Sequence, residues 1–187
     1  MFMQDTARFT IAARVLPMSP FAAPVSSGLV AGTRVDTETG WRSVETLRTG
    51  QLVYTHDGGL QQVLRVDRSF LMPGCGARLL CLPGGAFGAC ADLVLLAGQH
   101  VLIDTRDPRP EAAQALVPAA ALERAMGCTP VRLDAVLEVV TPVFAQEEVI
   151  FANTGVRMVC PGLDAAAGWF PRLDAEAARE VLAGVRD

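Results

Sequence analysis

Residue types that commonly ligate metals or attack carbonyl carbons are scarce in this 187-residue chain. The histidines are His56 and His100, and the cysteines are Cys75, Cys81, Cys90, Cys128 and Cys160. A structural zinc site wants paired thiolates or imidazoles at short spacing. Here there is neither a Cys-x-x-Cys pair nor a histidine pair at helical spacing, so no metal or cofactor is expected. An odd, irregularly spaced set of cysteines does not read as a disulfide framework. It reads as reduced thiols and points to a cytoplasmic setting. Cys160, behind Val159, reads as a buried inert thiol, and Cys75, Cys81 and Cys90 as packing thiols in a glycine-rich stretch. His56 lies in the turn His56-Asp57-Gly58-Gly59 and reads as an exposed turn residue; Trp41 and Trp169 read as core or cover residues.

Short strands would have to position these groups. Gly32 to Val35, Trp41 to Val44 and Gln51 to Thr55 are β-prone and separated by glycine turns. Asp57-Gly58-Gly59 is a hairpin signal, because Asp-Gly and Gly-Gly tolerate positive φ, and Gln61 to Ser69 is expected to pair back. Further strands are expected at Arg78 to Leu82, Leu93 to Leu96, His100 to Asp104, Glu148 to Ala152 and Val156 to Cys160. From Val131 to Val139 apolar and polar residues alternate, which predicts one half-buried strand. Pro118 opens an expected short helix running to about Met126, stopped by Gly127. Asp174 is a good N-cap, and Ala178, Val181, Leu182 and Val185 fall on one face of an amphipathic C-terminal helix. Residues 1 to 27 form a leader with a strand expected at Phe9 to Leu16, followed by Pro17, Pro20 and Pro24.

Composition narrows the function classes. Apolar residues make up 51% of the chain and charged residues 19%, too apolar for intrinsic disorder. No stretch approaches the ~18 continuous apolar residues of a membrane helix, so no membrane partner is expected. Met1 to Val15 carries Asp5 and Arg8 without a continuous apolar core, unlike a signal peptide. The net charge is −4 and every basic residue is an arginine, scattered from Arg8 to Arg186. A nucleic-acid binder would show a basic patch, so no nucleic-acid partner is expected. An unknown protein or small-molecule partner remains.

Several stretches, taken in order, resemble the Hint fold, the autoprocessing module shared by hedgehog proteins and inteins, and in particular its stand-alone bacterial members. The family opens with a nucleophilic Cys, then Gly-Thr, a strand, a glycine turn and Val-Glu-x-Leu-x-x-Gly-Asp. This chain has Gly28, Gly32-Thr33-Arg34-Val35, Thr39-Gly40-Trp41 and Val44-Glu45-Thr46-Leu47-Arg48-Thr49-Gly50-Gln51. The family's Asp-Gly-Gly is found at Asp57-Gly58-Gly59, and its Thr-x-x-His block at Ala97-Gly98-Gln99-His100. Ala115-Leu116-Val117-Pro118-Ala119 resembles a connecting piece, and Phe151-Ala152-Asn153-Thr154-Gly155 the closing Phe-x-Ala-Asn-Gly segment.

The resemblance implies an all-β, pseudo-symmetric compact fold over residues 28 to 162. A leader (1 to 27) would precede it and a tail with the amphipathic helix (163 to 187) would follow. It also implies a chemistry. A Cys thiolate attacks the preceding carbonyl, the amide becomes a thioester, and His100 would protonate the leaving nitrogen with help from a hydroxyl three residues earlier. The nucleophile position holds Gly28, the helper position Ala97, and the acidic residue after Gly50 is replaced by Gln51. Where inteins end in His-Asn, this chain has Arg157-Met158-Val159-Cys160. The reading is therefore a Hint-fold pseudoenzyme serving as a non-catalytic binding or structural module. Two alternatives stand beside it: a residual self-cleaving protein using Ser27 and His100, and an unrelated β-barrel binding domain.

Overall fold

A computed structural model describes residues 25–109, 113–123, 125–164 and 168–185. The strand expected at Phe9 to Leu16 and the three leader prolines lie outside them. Fourteen strands run through the described residues. In chain order they are β1 (Leu29–Val30), β2 (Arg34–Thr37), β3 (Gly40–Ser43), β4 (Leu52–Thr55), β5 (Gly59–Gln62), β6 (Arg65–Leu71) and β7 (Leu79–Leu82). There follow β8 (Leu93–Leu96), β9 (His100–Asp104), β10 (Gln114–Pro118), β11 (Thr129–Val131), β12 (Leu137–Val143), β13 (Glu148–Ala152) and β14 (Val156–Cys160). Among the described residues a single α-helix, α1 (Ala175–Val185), comes last. The protein is mostly β, as its glycine-punctuated short strands imply.

The strands form two antiparallel sheets. One has the order β11-β7-β8-β1-β12-β6, and the other runs β10-β9-β14-β13-β2-β4-β5 with β3 on β2. Burial explains why these segments are strands. Val101, Leu102 and Ile103 of β9, and Ala115, Leu116 and Val117 of β10, are buried in succession, the signature of strands covered on both faces. Edge strand β6 reads Arg-Val-Asp-Arg-Ser-Phe-Leu and is largely solvated, as a protected edge should be.

Three local expectations need correction. Gln61 to Ser69 is not one strand pairing back on β4. β5 closes the hairpin with Thr55 opposite Gly59; the chain then turns at fully buried Val63 and half-buried Leu64, and β6 crosses to the other sheet to pair with β12. Two long-range hydrogen bonds set this hand-over: Val63 N–H donates to Gln51 C=O (2.9 Å) and Leu64 N–H to Val143 C=O (2.8 Å). Val131 to Val139 is likewise two strands. β11 pairs with β7 while β12 pairs with β1 and β6, and residues 132–136 between them are irregular. Alternating polarity reports a half-buried segment, not a continuous ladder. Finally, Pro118 ends β10 opposite His100, and the expected helix is a 3-10 turn over Ala119–Leu122. Met126 and Gly127 both take positive φ (50° and 78°), which stops any continuation.

The C-terminal helix forms as its sequence requires. The Asp174 carboxylate accepts the N–H groups of Glu176 and Ala177, each at 2.9 Å, satisfying donors that the first turn would leave orphaned. Ala178 and Leu182 are buried within the main hydrophobic core. Full burial of a leucine side chain contributes about 2 kcal/mol.

Candidate functional site

Gly28 lies one residue before β1 and is buried, with φ at 123°. Side chains rarely adopt this conformation. A Cβ placed there would sit 2.5 Å from Val139 Cγ1 and 2.7 Å from Thr141 Oγ1. β12 brings both residues in, because β1 pairs with it at Leu29 to Val140 and Val30 to Val139. The space that any side chain at position 28 would occupy is thus filled by the neighbouring strand.

The N–H of Gly28 donates to Gln99 Oε1 at 2.8 Å. Gln99 is 2% exposed, and its Nε2 donates to the carbonyls of His100 (3.0 Å) and Val159 (2.8 Å). One carboxamide therefore ties the segment before β1 to β9 and β14. The Ala97 to His100 block also presses on the chain before Gly28. Gly98 N–H donates to Ser26 C=O at 2.9 Å, and a Cβ on Gly98 would lie 2.6 Å from that oxygen. Sequence reasoning passed over Gln99, although the signal was present: one amide side chain between Leu95-Leu96 and Val101-Leu102-Ile103 must find partners once buried.

His100 opens β9 and is half-buried. Burial lowers its pKa below the ordinary 6.5, and the positive Arg172 adds to this. Glu147 and a hydrogen bond to the Gly98 carbonyl act in the opposite direction. At neutral pH the ring is therefore neutral, suited to accept a proton rather than to deliver one. Glu147 forms an ion pair with Arg172, so His100 sits beside a charged pair.

The other residues singled out are held differently. Ser26 and Ser27 are exposed, and Ala97 is half-buried. Gln51 Oε1 accepts the Arg48 N–H at 2.7 Å and closes the turn before β4. Asn153, at φ 42°, accepts the Arg34 N–H (2.9 Å) and donates to the Asp92 carbonyl (3.3 Å), bridging three segments. All five cysteines are free thiols. Burial raises the pKa of Cys160 far above the thiol range, Glu147 and Glu148 adding to it. Cys128 is pushed up to about 11, mainly by burial. Neither is a competent thiolate at neutral pH.

Two expectations about aromatic and turn residues are overturned. His56 is packed, not exposed: its ring lies edge-on to Phe151 (6.0 Å) and tilted against Phe170 (5.9 Å), and Nε2 is 3.2 Å from Gln114 Oε1. Trp169 is not a cover residue; it is 75% exposed. Beside it a cavity of about 410 Å³ opens between Trp169, Phe170, Asp57 and the start of β13.

A family model described as a Hint domain matches residues 27–157. Among curated proteins none matches the chain. The solution structure of a bacterial intein-like domain from Clostridium thermocellum is similar, with a TM-score of 0.51 at 16% identity. That similarity covers 71% of this chain and 97% of that one. The crystal structure of the gp41-1 intein aligns with a TM-score of 0.46 at 14% identity, over 73% of this chain and 99% of the intein.

Proposed function

The chain belongs to the Hint domain family, and from that premise we propose that it works as a binding or structural module that performs no acyl shift. Family membership removes the unrelated β-barrel. One observation carries the rest: at the position where the family places its nucleophile, Gly28 has no side chain, a φ of 123°, and Val139 and Thr141 where a Cβ would be. The acyl shift would break the bond between the Ser27 carbonyl carbon and the Gly28 nitrogen. That nitrogen needs a proton as it leaves. Here its N–H is committed to Gln99 Oε1, and His100 is held neutral. Ala97 brings no hydroxyl to the block.

The second reading, self-cleavage through Ser27 and His100, has one feature in its favour. Ser26 C=O, the carbonyl that the Ser27 hydroxyl would attack, already accepts the Gly98 N–H at 2.9 Å, and such a donor stabilises a developing oxyanion. Attack would form an ester at Ser27 and free its amine.

Incubating the full chain with neutral hydroxylamine, and separately with dithiothreitol, decides between them by intact mass. The expected result is a single uncleaved species in both. A fragment ending at Ser26, released by hydroxylamine and abolished by Ser27→Ala, would overturn the non-catalytic reading.

A further inference from the structure

The cavity beside Trp169 holds a feature that the fold alone does not account for. Glu148, the first residue of β13, lines it and is only 6% exposed. Among the described residues its carboxylate receives one hydrogen bond, from Gln146 Nε2 at 3.2 Å, and has no cationic partner. The nearby arginine, Arg172, is paired with Glu147 instead. A buried carboxylate without a counter-charge is costly, and proteins normally pair such groups. The cavity wall carries two further carboxylates: Glu147, in its pair with Arg172, and Asp57, 3.8 Å from His56 Nε2 and, among the described residues, without an arginine partner. Trp169 and Phe170 supply flat apolar faces, and Phe170 is steadied by its contact with the His56 ring.

These observations select the occupant. Among the described residues no group of His, Cys, Asp and Glu converges tightly enough to hold a metal ion. A volume of about 410 Å³ suits a small organic ligand. Aromatic faces beside carboxylates attract organic cations. Guanidinium suits the site better than ammonium, because it is planar, stacks on indole and is more weakly hydrated. We propose that this cavity binds a guanidinium group, with Glu148 and Asp57 as its counter-charges and Trp169 and Phe170 as its stacking faces. The proposal rests on the binding-module reading and gives it a ligand class. The group arrives either on a small free molecule or on an arginine side chain.

Calorimetric titration of the full chain tests this with three probes: N-acetyl-arginine methylamide, butylguanidine, and the neutral isostere N-acetyl-citrulline methylamide. A blocked arginine should bind with a dissociation constant on the order of 1 mM, given its few atoms. Citrulline should bind at least about tenfold more weakly, having lost the charge. Trp169→Ala and Glu148→Gln should each weaken arginine binding by about 5- to 30-fold. Phe70→Ser, an exposed change in β6, should leave it unaltered. Equal binding of both guanidinium probes indicates recognition of the cation alone; preference for the blocked arginine indicates a peptide source. No binding, citrulline binding as well as arginine, or unchanged affinity in Trp169→Ala overturns the proposal. If Glu148→Gln fails to fold, Trp169→Ala decides, since that side chain lies largely in solvent. Hydroxylamine sensitivity is read independently, so failure of the cation site and failure of the non-catalytic reading are separately visible.

Discussion

Gln99 and Gly28 are joined by a 2.8 Å hydrogen bond between a side-chain carbonyl and a backbone N–H, which makes the glutamine a clasp between the segment before β1 and strands β9 and β14. Gln99→Leu would keep the volume but leave the Gly28 N–H and the carbonyls of His100 and Val159 without these partners. Each buried unsatisfied group costs about 1–3 kcal/mol. The variant should lose about 3–5 kcal/mol in urea denaturation. A loss below about 1 kcal/mol, the size of an ordinary surface change, would show that the clasp is not structural.

Gly28→Ala should be destabilised by about 2–4 kcal/mol, because left-handed strain and contact with Val139 and Thr141 act together. By the same reasoning Gly28→Cys combined with Ala97→Thr should weaken the fold without restoring thioester chemistry. Hydroxylamine cleavage between Ser27 and Gly28 in that double variant would show that the pocket still accommodates a nucleophile.

His100 should make stability pH-dependent. Its folded pKa lies below the ordinary 6.5, so on acidification the unfolded chain takes up a proton before the folded chain does. This contribution is fully present above pH 6.5 and is lost as pH falls from there to the folded pKa. Urea midpoints at pH 7.5 and 5.5 should therefore lie closer together in His100→Gln than in the wild type. An unchanged difference would mean that burial of the ring does not govern this titration.

Thiol labelling should divide the cysteines by exposure. Cys75 and Cys90 are exposed and should react rapidly with an aromatic disulfide reagent, whereas Cys128 and Cys160 are buried and should react only on unfolding. Rapid modification of Cys160, located by peptide mass, would contradict its burial and its raised pKa.

Leu182→Ala should cost about 2–4 kcal/mol, the usual range for a buried leucine, because α1 contributes to the main core. A loss of only a few tenths, with an unchanged m-value, would mean that the helix is docked without supporting the sheets.

Much of this protein was legible in its residues. Strands β4, β8, β9, β13 and β14 follow from local composition and turn chemistry, the Asp174-capped helix from its N-cap and apolar spacing, and family membership from blocks quoted in order. Each is specified by residues close in the chain. What local sequence could not show is where a strand finds its partner: the same apolar residues suit either sheet. The jump of β6 to β12 and the break between β11 and β12 depend on long-range pairing. The same limit applies to the candidate site. The sequence displayed Gly28 as a missing side chain. Only the tertiary structure revealed that Val139 and Thr141, more than a hundred residues away, occupy its space, and that Gln99 takes its N–H. Glu148 is an ordinary glutamate on paper; only the packing of β13 makes it a buried carboxylate with no cationic partner among the described residues. Desolvation and close contact arise from residues meeting in space, so they are decided by the fold.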